Sequence, residues 1–212
     1  MAKNVVIVGL GRFGSVLSKE LTQAGYDILG VDRRPDRVRE MGQTISKAVQ
    51  GEATDPELWR DIPVKGADAG VVAFSSSVEA NVLAALLMRR AGLKHVVAVS
   101  RSELHSEVLQ AIGVDQIVEP QVESAMRLAR AFGTNIKDYL EVTKGFGIAR
   151  IPAETHWKGA TVQKVQQDED VTVLALVRGH RVLLVPSEND KLSEGDVLVL
   201  AGKDGDLRKL PS

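Results

Sequence analysis

The sequence predicts an α/β fold: a Rossmann-type doubly wound parallel sheet of six strands, followed by a smaller C-terminal α+β lobe. Three observations predict it. Short β-branched runs alternate with helical patterns through the first part of the chain. A glycine-rich turn, Gly9-Leu10-Gly11-Arg12-Phe13-Gly14, joins the first strand to the first helix. The alternation stops after Pro120, and from about Tyr139 the text becomes rich in strands.

Strands are expected at Val5–Gly9, Asp27–Val31, Lys47–Gln50, Ala69–Phe74, His95–Val99 and Gln116–Val118. Most are continuous apolar runs, as a sheet covered on both faces requires. The helix between the first two strands shows Phe13, Val16, Leu17, Leu21 and Ala24 at helical spacing. Val82, Leu83, Leu86 and Leu87 line a later helix, and Leu104, Val108, Ala111 and Ile112 the next. Gly25, Gly92 and Gly113 follow these three helices, where a left-handed residue ends a helix at low cost. Pro56, after the capping candidates Thr54 and Asp55, and Pro120 suit first-turn positions. Val122, Ala125, Met126, Ala129 and Phe132 form one more helix, ending near Gly133. The second lobe carries strands at Phe146–Ile151, Val171–Arg178, Arg181–Val185 and Val197–Ala201, with Gly179-His180 as a hairpin turn. The expected division is therefore a nucleotide-binding domain at residues 1–133, whose last helix (about 120–133) is a crossover, a linker at 134–140, and a C-terminal domain at 141–212.

Composition narrows the function classes. With 28 acidic and 27 basic residues the net charge is −1, and no basic block offers a footprint for nucleic acid. No apolar run approaches the roughly 20 residues of a membrane-spanning helix, and no secretory signal precedes the first strand. A cytoplasmic protein is expected. The absence of cysteine fits that compartment and removes thiolate chemistry.

The glycine turn has the context that gives it meaning, since it leaves a strand and opens a helix. Gly9, Gly11 and Gly14 let the backbone approach a pyrophosphate, which the helix N-terminus attracts through its free N–H groups and dipole. Asp32 closes the second strand, where a carboxylate accepts the ribose hydroxyls of an adenosine moiety. Arg12 is the departure from a dehydrogenase. A cation in the first turn opposes the helix dipole unless an anion lies between them. Arg33 and Arg37 flank the ribose acid, and Arg37 has the reach for phosphate or adenine. Glu52, Ala53 and Thr54 follow the third strand, Phe74, Ser75 and Ser76 the fourth and Arg101 the fifth, all at carboxyl ends where such sheets bind ligands.

A catalytic set is not evident. Of the four histidines, His95 precedes a strand, His105 lies in an amphipathic helix, and His156 and His180 fall in the second lobe. Surface or structural roles suit them better than that of a general base. The expectation is a protein that is not an enzyme, weighed against an NAD-dependent oxidoreductase of a small substrate and an assembly module with an empty crevice.

On these residues the chain resembles the regulator-of-potassium-conductance proteins, also called KTN or Trk-type cytosolic subunits. The glycine loop, Val31-Asp32, Gly51-Glu52-Ala53-Thr54 and Ile112-Gly113-Val114-Asp115 are similar to the family's N-terminal lobe. Arg178-Gly179-His180 and the stretch from Leu192 to Leu198 are similar to its C-terminal lobe. The resemblance implies a regulatory subunit that binds ATP, ADP or NAD(H). It also implies assembly into dimers and a ring, such as a homo-octamer, beneath a membrane-embedded potassium transporter, at the cytoplasmic face of the membrane. Arg12 would then meet the outer phosphates across a dimer interface, and Glu52, Ala53, Thr54, Phe74 and Ser75 would surround the base and sugar. Gln121 stands where several relatives place a glutamate that binds a divalent cation, and a neutral amide is the weaker ligand for a hard cation. Some relatives bind cyclic di-AMP in the second lobe, for which Arg178, His180 and Val182–Val185 are the candidates, set against a plain hairpin. A channel fused to this chain is not expected, because the first strand begins so near residue 1.

Overall fold

In the computed structural model the described residues are 3–131, 136, 138–153, 157–207 and 209–210, without the side chains of residues 127, 130 and 131. They divide into two compact units, residues 1–121 and 122–212.

The first unit holds six parallel strands: β1 (Asn4–Val8), β2 (Asp27–Asp32), β3 (Lys47–Gln50), β4 (Ala69–Val72), β5 (Val96–Val99) and β6 (Gln116–Val118). Their order is β3-β2-β1-β4-β5-β6, so the winding reverses between β1 and β4. Alternate residues supply two cores. Val5, Ile7, Ile28 and Val71 face one side, with Met41 and Ile45. Val6, Val8, Leu29 and Val72 face the other, with Trp59, Ala84, Ala85, Met88 and Leu109. The first side receives α1 (Arg12–Gln23) and α2 (Pro35–Met41), and the second receives α3 (Leu58–Asp61), α4 (Val78–Arg90) and α5 (Glu103–Ala111). Gly25, Gly92 and Gly113 all have positive φ after their helices. Pro56 does not open a helix. It sits in a turn two residues before α3, where the Asp55 carboxylate accepts from the Glu57 N–H at 2.9 Å.

Helix faces differ from the periodicity at several positions. In α1 the closest approach to the sheet is made by Gly14 and Ser18, while Val16 faces solvent. In α4, Val82 and Leu87 pack inward but Leu83 is exposed. In α5 the buried residues are His105 and Leu109, and Leu104 is 70% exposed. On each helix a small or hydrogen-bonded residue, Gly14 and Ser18, Asn81, or His105, takes a place against the sheet, which periodicity of apolar residues alone does not register.

The helix α6 (Pro120–Ala131) begins at Pro120 as expected and leaves Val122, Met126 and Leu128 exposed. Phe132, Gly133 and much of the expected linker lie outside the described residues. Asp138–Leu140, placed in that linker by sequence, instead begin the strand β7 (Asp138–Thr143). This edge strand is mostly exposed, Leu140 and Val142 included, and charged residues interrupt its apolar ones, so it lacks the apolar run by which strands are recognised.

The second unit is an antiparallel sheet ordered β10-β9-β11-β8-β7, with β8 at Phe146–Pro152, β9 at Thr172–Arg178, β10 at Arg181–Leu184 and β11 at Val197–Lys203. Gly179 (φ +59°) turns the β9–β10 hairpin, in which Arg178 pairs with Arg181. The helices α7 (Val162–Glu169) and α8 (Asp204–Leu207) contribute Val162, Val165 and Leu207 to the core, with Ile151, Leu176, Leu198 and Leu200 from the sheet.

Candidate functional site

The carboxyl ends of β1 and β4 diverge at the reversal point, and the gap between their loops is where such a sheet offers a ligand site. A crevice opens there between the loops. It is lined by Gly9, Val31, Asp32, Arg33, Arg37, Gly51, Glu52, Ala53, Phe74, Ser76, Ser77 and Ala80. Eight sequence candidates therefore converge: Gly9, Asp32, Arg33, Arg37, Glu52, Ala53, Phe74 and Ser76. Gly11, Arg12, Phe13, Gly14, Thr54, Ser75 and Arg101 do not line it.

The glycines have separate jobs. Gly9 has φ +92°, and its N–H donates to the Val31 carbonyl at 2.8 Å, which ties the loop to β2. A β-carbon on Gly14 would overlap the Gly9 carbonyl oxygen and lie 3.0 Å from the Ala73 β-carbon, so Gly14 lets α1 approach the sheet. Gly11 is the N-cap of α1 and has ordinary φ (−73°). The neighbours of a β-carbon there would be atoms of the Arg37 guanidinium, the nearest at 3.5 Å. Neither packing nor strain demands Gly11.

Asp32 is 5% exposed. One oxygen accepts from the Arg34 N–H at 2.9 Å; the other accepts from the Leu10 N–H at 2.7 Å and from Arg37 Nη1 at 3.2 Å. Three of the carboxylate's roughly four acceptor sites are thus filled. One acceptor position remains on Oδ1, and another opens on Oδ2 only where Arg37 releases it. Arg37 lies between the acid and the glycine loop, close enough to both that a phosphate could draw it away.

Arg12 is exposed at the first position of α1, a helix with no acid in its first turn and no side-chain cap on its N–H groups. Its backbone carbonyl accepts from the Ser15 hydroxyl at 3.2 Å, and among the described residues its guanidinium has no hydrogen-bond or ion-pair partner. At the crevice rim Arg33 and Glu52 approach to 4.0 Å, both largely exposed, a contact of small energetic weight. Ala53 is held from behind, because the Trp59 indole N–H donates to its carbonyl at 2.9 Å. Thr54 is half-buried and caps no helix. Arg101 donates to the Ser76 carbonyl at 3.3 Å and so supports the wall from outside the crevice.

Sequence reasoning missed Ser77 and Ala80. Ser77 caps α4 by accepting the Ala80 N–H at 3.2 Å, a signal present in the sequence as a serine before an apolar helix. It also missed the polar side chains beneath the wall. Asn81 and His105 are buried, and the Asn81 amide donates to the carbonyls of Phe74 and of Val99, the latter at 3.1 Å. Among the described residues, no three His, Cys, Asp or Glu side chains gather where they could hold a metal ion. Gln121 is exposed, and His156 lies outside the described residues. In the second unit Arg178 Nε and Nη2 donate to buried Asp196 at 2.8 and 2.7 Å, and Nη2 also donates to the Lys191 carbonyl at 2.9 Å.

Residues 5–120 match the TrkA-N domain family and residues 147–211 the TrkA-C domain family. The chain is 27% identical over 212 residues to the Ktr system potassium uptake protein C of Bacillus subtilis (strain 168), covering 99% of this chain and 96% of that protein. In structure it is similar to the GsuK channel bound to NAD, with TM-score 0.65 and 20% identity over 98% of this chain and 38% of that one. It also matches the Shewanella denitrificans Kef CTD in AMP bound form, with TM-score 0.53 and 25% identity, over 61% of this chain and 78% of that one.

Proposed function

The chain belongs to the TrkA-N/TrkA-C domain family, and from that premise we propose that it is a nucleotide-sensing regulatory subunit of a potassium-uptake system. The observation that carries the proposal is the crevice at the sheet's reversal point, where a glycine loop at an uncapped helix end faces a buried carboxylate. The ligand is an adenine nucleotide, ATP or ADP, with NAD(H) sharing the same adenosine half. Asp32 takes the ribose, Gly9 and Gly11 admit the diphosphate, and Arg12, unpaired on the protein's own surface, meets the outer phosphates. Nothing in this set moves a hydride or a proton. His105 is buried and has its Nε2 engaged by Asn81, whose amide holds the Phe74 carbonyl. That arrangement favours sensing over the dehydrogenase alternative. Gln121, a neutral amide, stands where the resemblance places a cation-binding glutamate in several relatives, so magnesium should add little to ATP affinity.

The regulated partner is a membrane-embedded potassium transporter, the system named for the relative in Bacillus subtilis. Among the described residues no helix is long and apolar enough to cross a membrane, so the chain would act at the cytoplasmic face by docking. Self-assembly into dimers and a ring is supported by Leu83, Leu104 and Val108, apolar side chains on α4 and α5 that the sheet does not cover. Nucleotide then acts by binding one ring shape better than another.

Calorimetric titration of the purified protein with ATP, ADP, AMP and NADH tests the ligand, and the mass of the complex in solution tests assembly. Saturable binding of at least one nucleotide to an oligomer is expected. An absence of saturable binding by all four overturns the proposal.

A further inference from the structure

The wall of the crevice formed by residues 74–77 is held from below by side chains to which no role in ligand binding has been given. Asn81, on the first turns of α4, is fully buried and donates both N–H bonds of its amide: one to the Phe74 carbonyl and one to the Val99 carbonyl at 3.1 Å. It thereby ties the residues leaving β4 to the end of β5. The remaining amide oxygen faces His105 Nε2 at 3.2 Å. With both amide protons spent on carbonyls, that oxygen can only accept, so His105 must carry its proton on Nε2. Among the described residues His105 Nδ1 is buried without a partner, an unusual state for a polar atom in a folded interior. Burial, aided by the charge of Arg101, lowers the basicity of the ring and keeps it neutral.

The wall has little freedom. Phe74 lies 3.0–3.3 Å from where a Gly9 β-carbon would stand, so its backbone and ring fix the closest approach to the phosphate loop. Ser76 is held through its carbonyl by Arg101, and Ser77 begins α4. A shift of the Phe74 carbonyl would therefore move the crevice lining directly.

We propose that Asn81 and His105 are positioning residues for the nucleotide site. Asn81 sets the wall at Phe74, and His105 fixes the Asn81 amide in the one orientation that grips both strand ends. The pair also gives α5 a stake in occupancy: His105 points inward from the helix whose outer side exposes Leu104 and Val108. A nucleotide that presses on Phe74 is felt, through two hydrogen bonds, by the helix available for assembly. This inference rests on the adenine-nucleotide reading above.

The test compares His105→Leu with His105→Gln, whose amide N–H can take the place of Nε2–H, in the full chain. ADP affinity by calorimetry should fall about tenfold in His105→Leu and return to within about threefold of the parent in His105→Gln. Equal affinities in the parent and a folded His105→Leu, or no recovery in His105→Gln, overturn the inference. Because either variant can fail to fold, the imidazole ¹⁵N resonances of the parent protein are followed as well. Saturating ADP should shift the His105 signals, whose pattern should be that of a neutral ring protonated at Nε2, and unchanged signals with ADP bound overturn the inference. If the parent binds no nucleotide, the proposed function falls and takes this inference with it; if the parent binds and His105→Leu binds equally, only the inference falls.

Discussion

Replacing Gly11 and Gly14 separately by alanine isolates ligand binding from folding, because the two positions differ in what a methyl group meets. At Gly14 the new carbon overlaps the Gly9 carbonyl oxygen and stands 3.0 Å from the Ala73 β-carbon. Carbon atoms rest at about 3.5 Å or more, so α1 must retreat by at least about 0.5 Å from Ala73 and further from Gly9. Overpacking of this kind costs about 1–3 kcal/mol or more, which lowers the melting temperature by several degrees in a domain of this size. At Gly11 the new carbon lies 3.5 Å from Arg37 Nη1, an ordinary contact with the end of a flexible side chain, and φ of −73° suits any residue. Its folding cost is that of a poorer N-cap, about 1 kcal/mol at most. Yet the methyl group would stand in the path of the phosphates. Gly11→Ala should therefore melt close to the parent and bind ADP at least about tenfold more weakly, a loss of about 1.4 kcal/mol. Gly14→Ala should lose several degrees and ADP binding together. Thermal unfolding followed by calorimetric titration of both variants decides the matter. Parent-like ADP affinity in Gly11→Ala would refute the assignment of this loop to phosphates, and a parent-like melt of Gly14→Ala would refute the packing argument.

Arg12→Ala should weaken ADP about tenfold and leave adenosine unaffected, since Arg12 answers only to phosphate; equal losses for both ligands would contradict that role. In the second unit, Arg178 and the Ser193 N–H hold the Asp196 carboxyl below its ordinary range, against the opposing effect of its burial. A depressed folded value means that stability is complete above the unfolded carboxyl's pKa, about 3.9, and drains away as pH falls through the folded value. Arg178→Leu should lower the melting temperature at pH 7 and flatten its further decline below about pH 4. Parallel acid profiles in the two proteins would remove Arg178 as the cause.

The sheet and its reversal point were legible because their signals are local. Continuous apolar runs mark β1, β2 and β4, and the glycine loop with Asp32 at its proper remove marks the ligand end. The convergence of Phe74 and Ala53 on that loop followed from strand order, since carboxyl ends of parallel strands share one edge. Less legible was what a side chain does when several partners compete for it. Arg37 reads as a free cation beside Asp32, yet it occupies the acid's second oxygen. Asn81 and His105 read as ordinary helical residues, because a hydrogen bond across 24 positions leaves no trace in spacing. The strand β7 escaped notice for another reason: at the sheet edge its Leu140 and Val142 stay exposed among charged neighbours, so no continuous apolar run marks it.

The misjudged helix faces share a different cause, and it bears on function. Apolar periodicity reports which residues are buried in the working protein, not which are buried by their own chain. Leu83, Leu104 and Val108 obey the periodicity and yet stay exposed, while Asn81, His105 and Leu109 take the places against the sheet. Water contact with such side chains is unfavourable by about 25 cal/mol for each Å² of apolar surface, and chance leaves single residues outside more readily than a stripe. A second copy of the chain would satisfy both the pattern and the energetics, and it would bring a surface to the very helix that His105 joins to the crevice wall. On that arrangement the parts that depart from expectation are the ones through which a bound nucleotide could be felt by a neighbouring subunit.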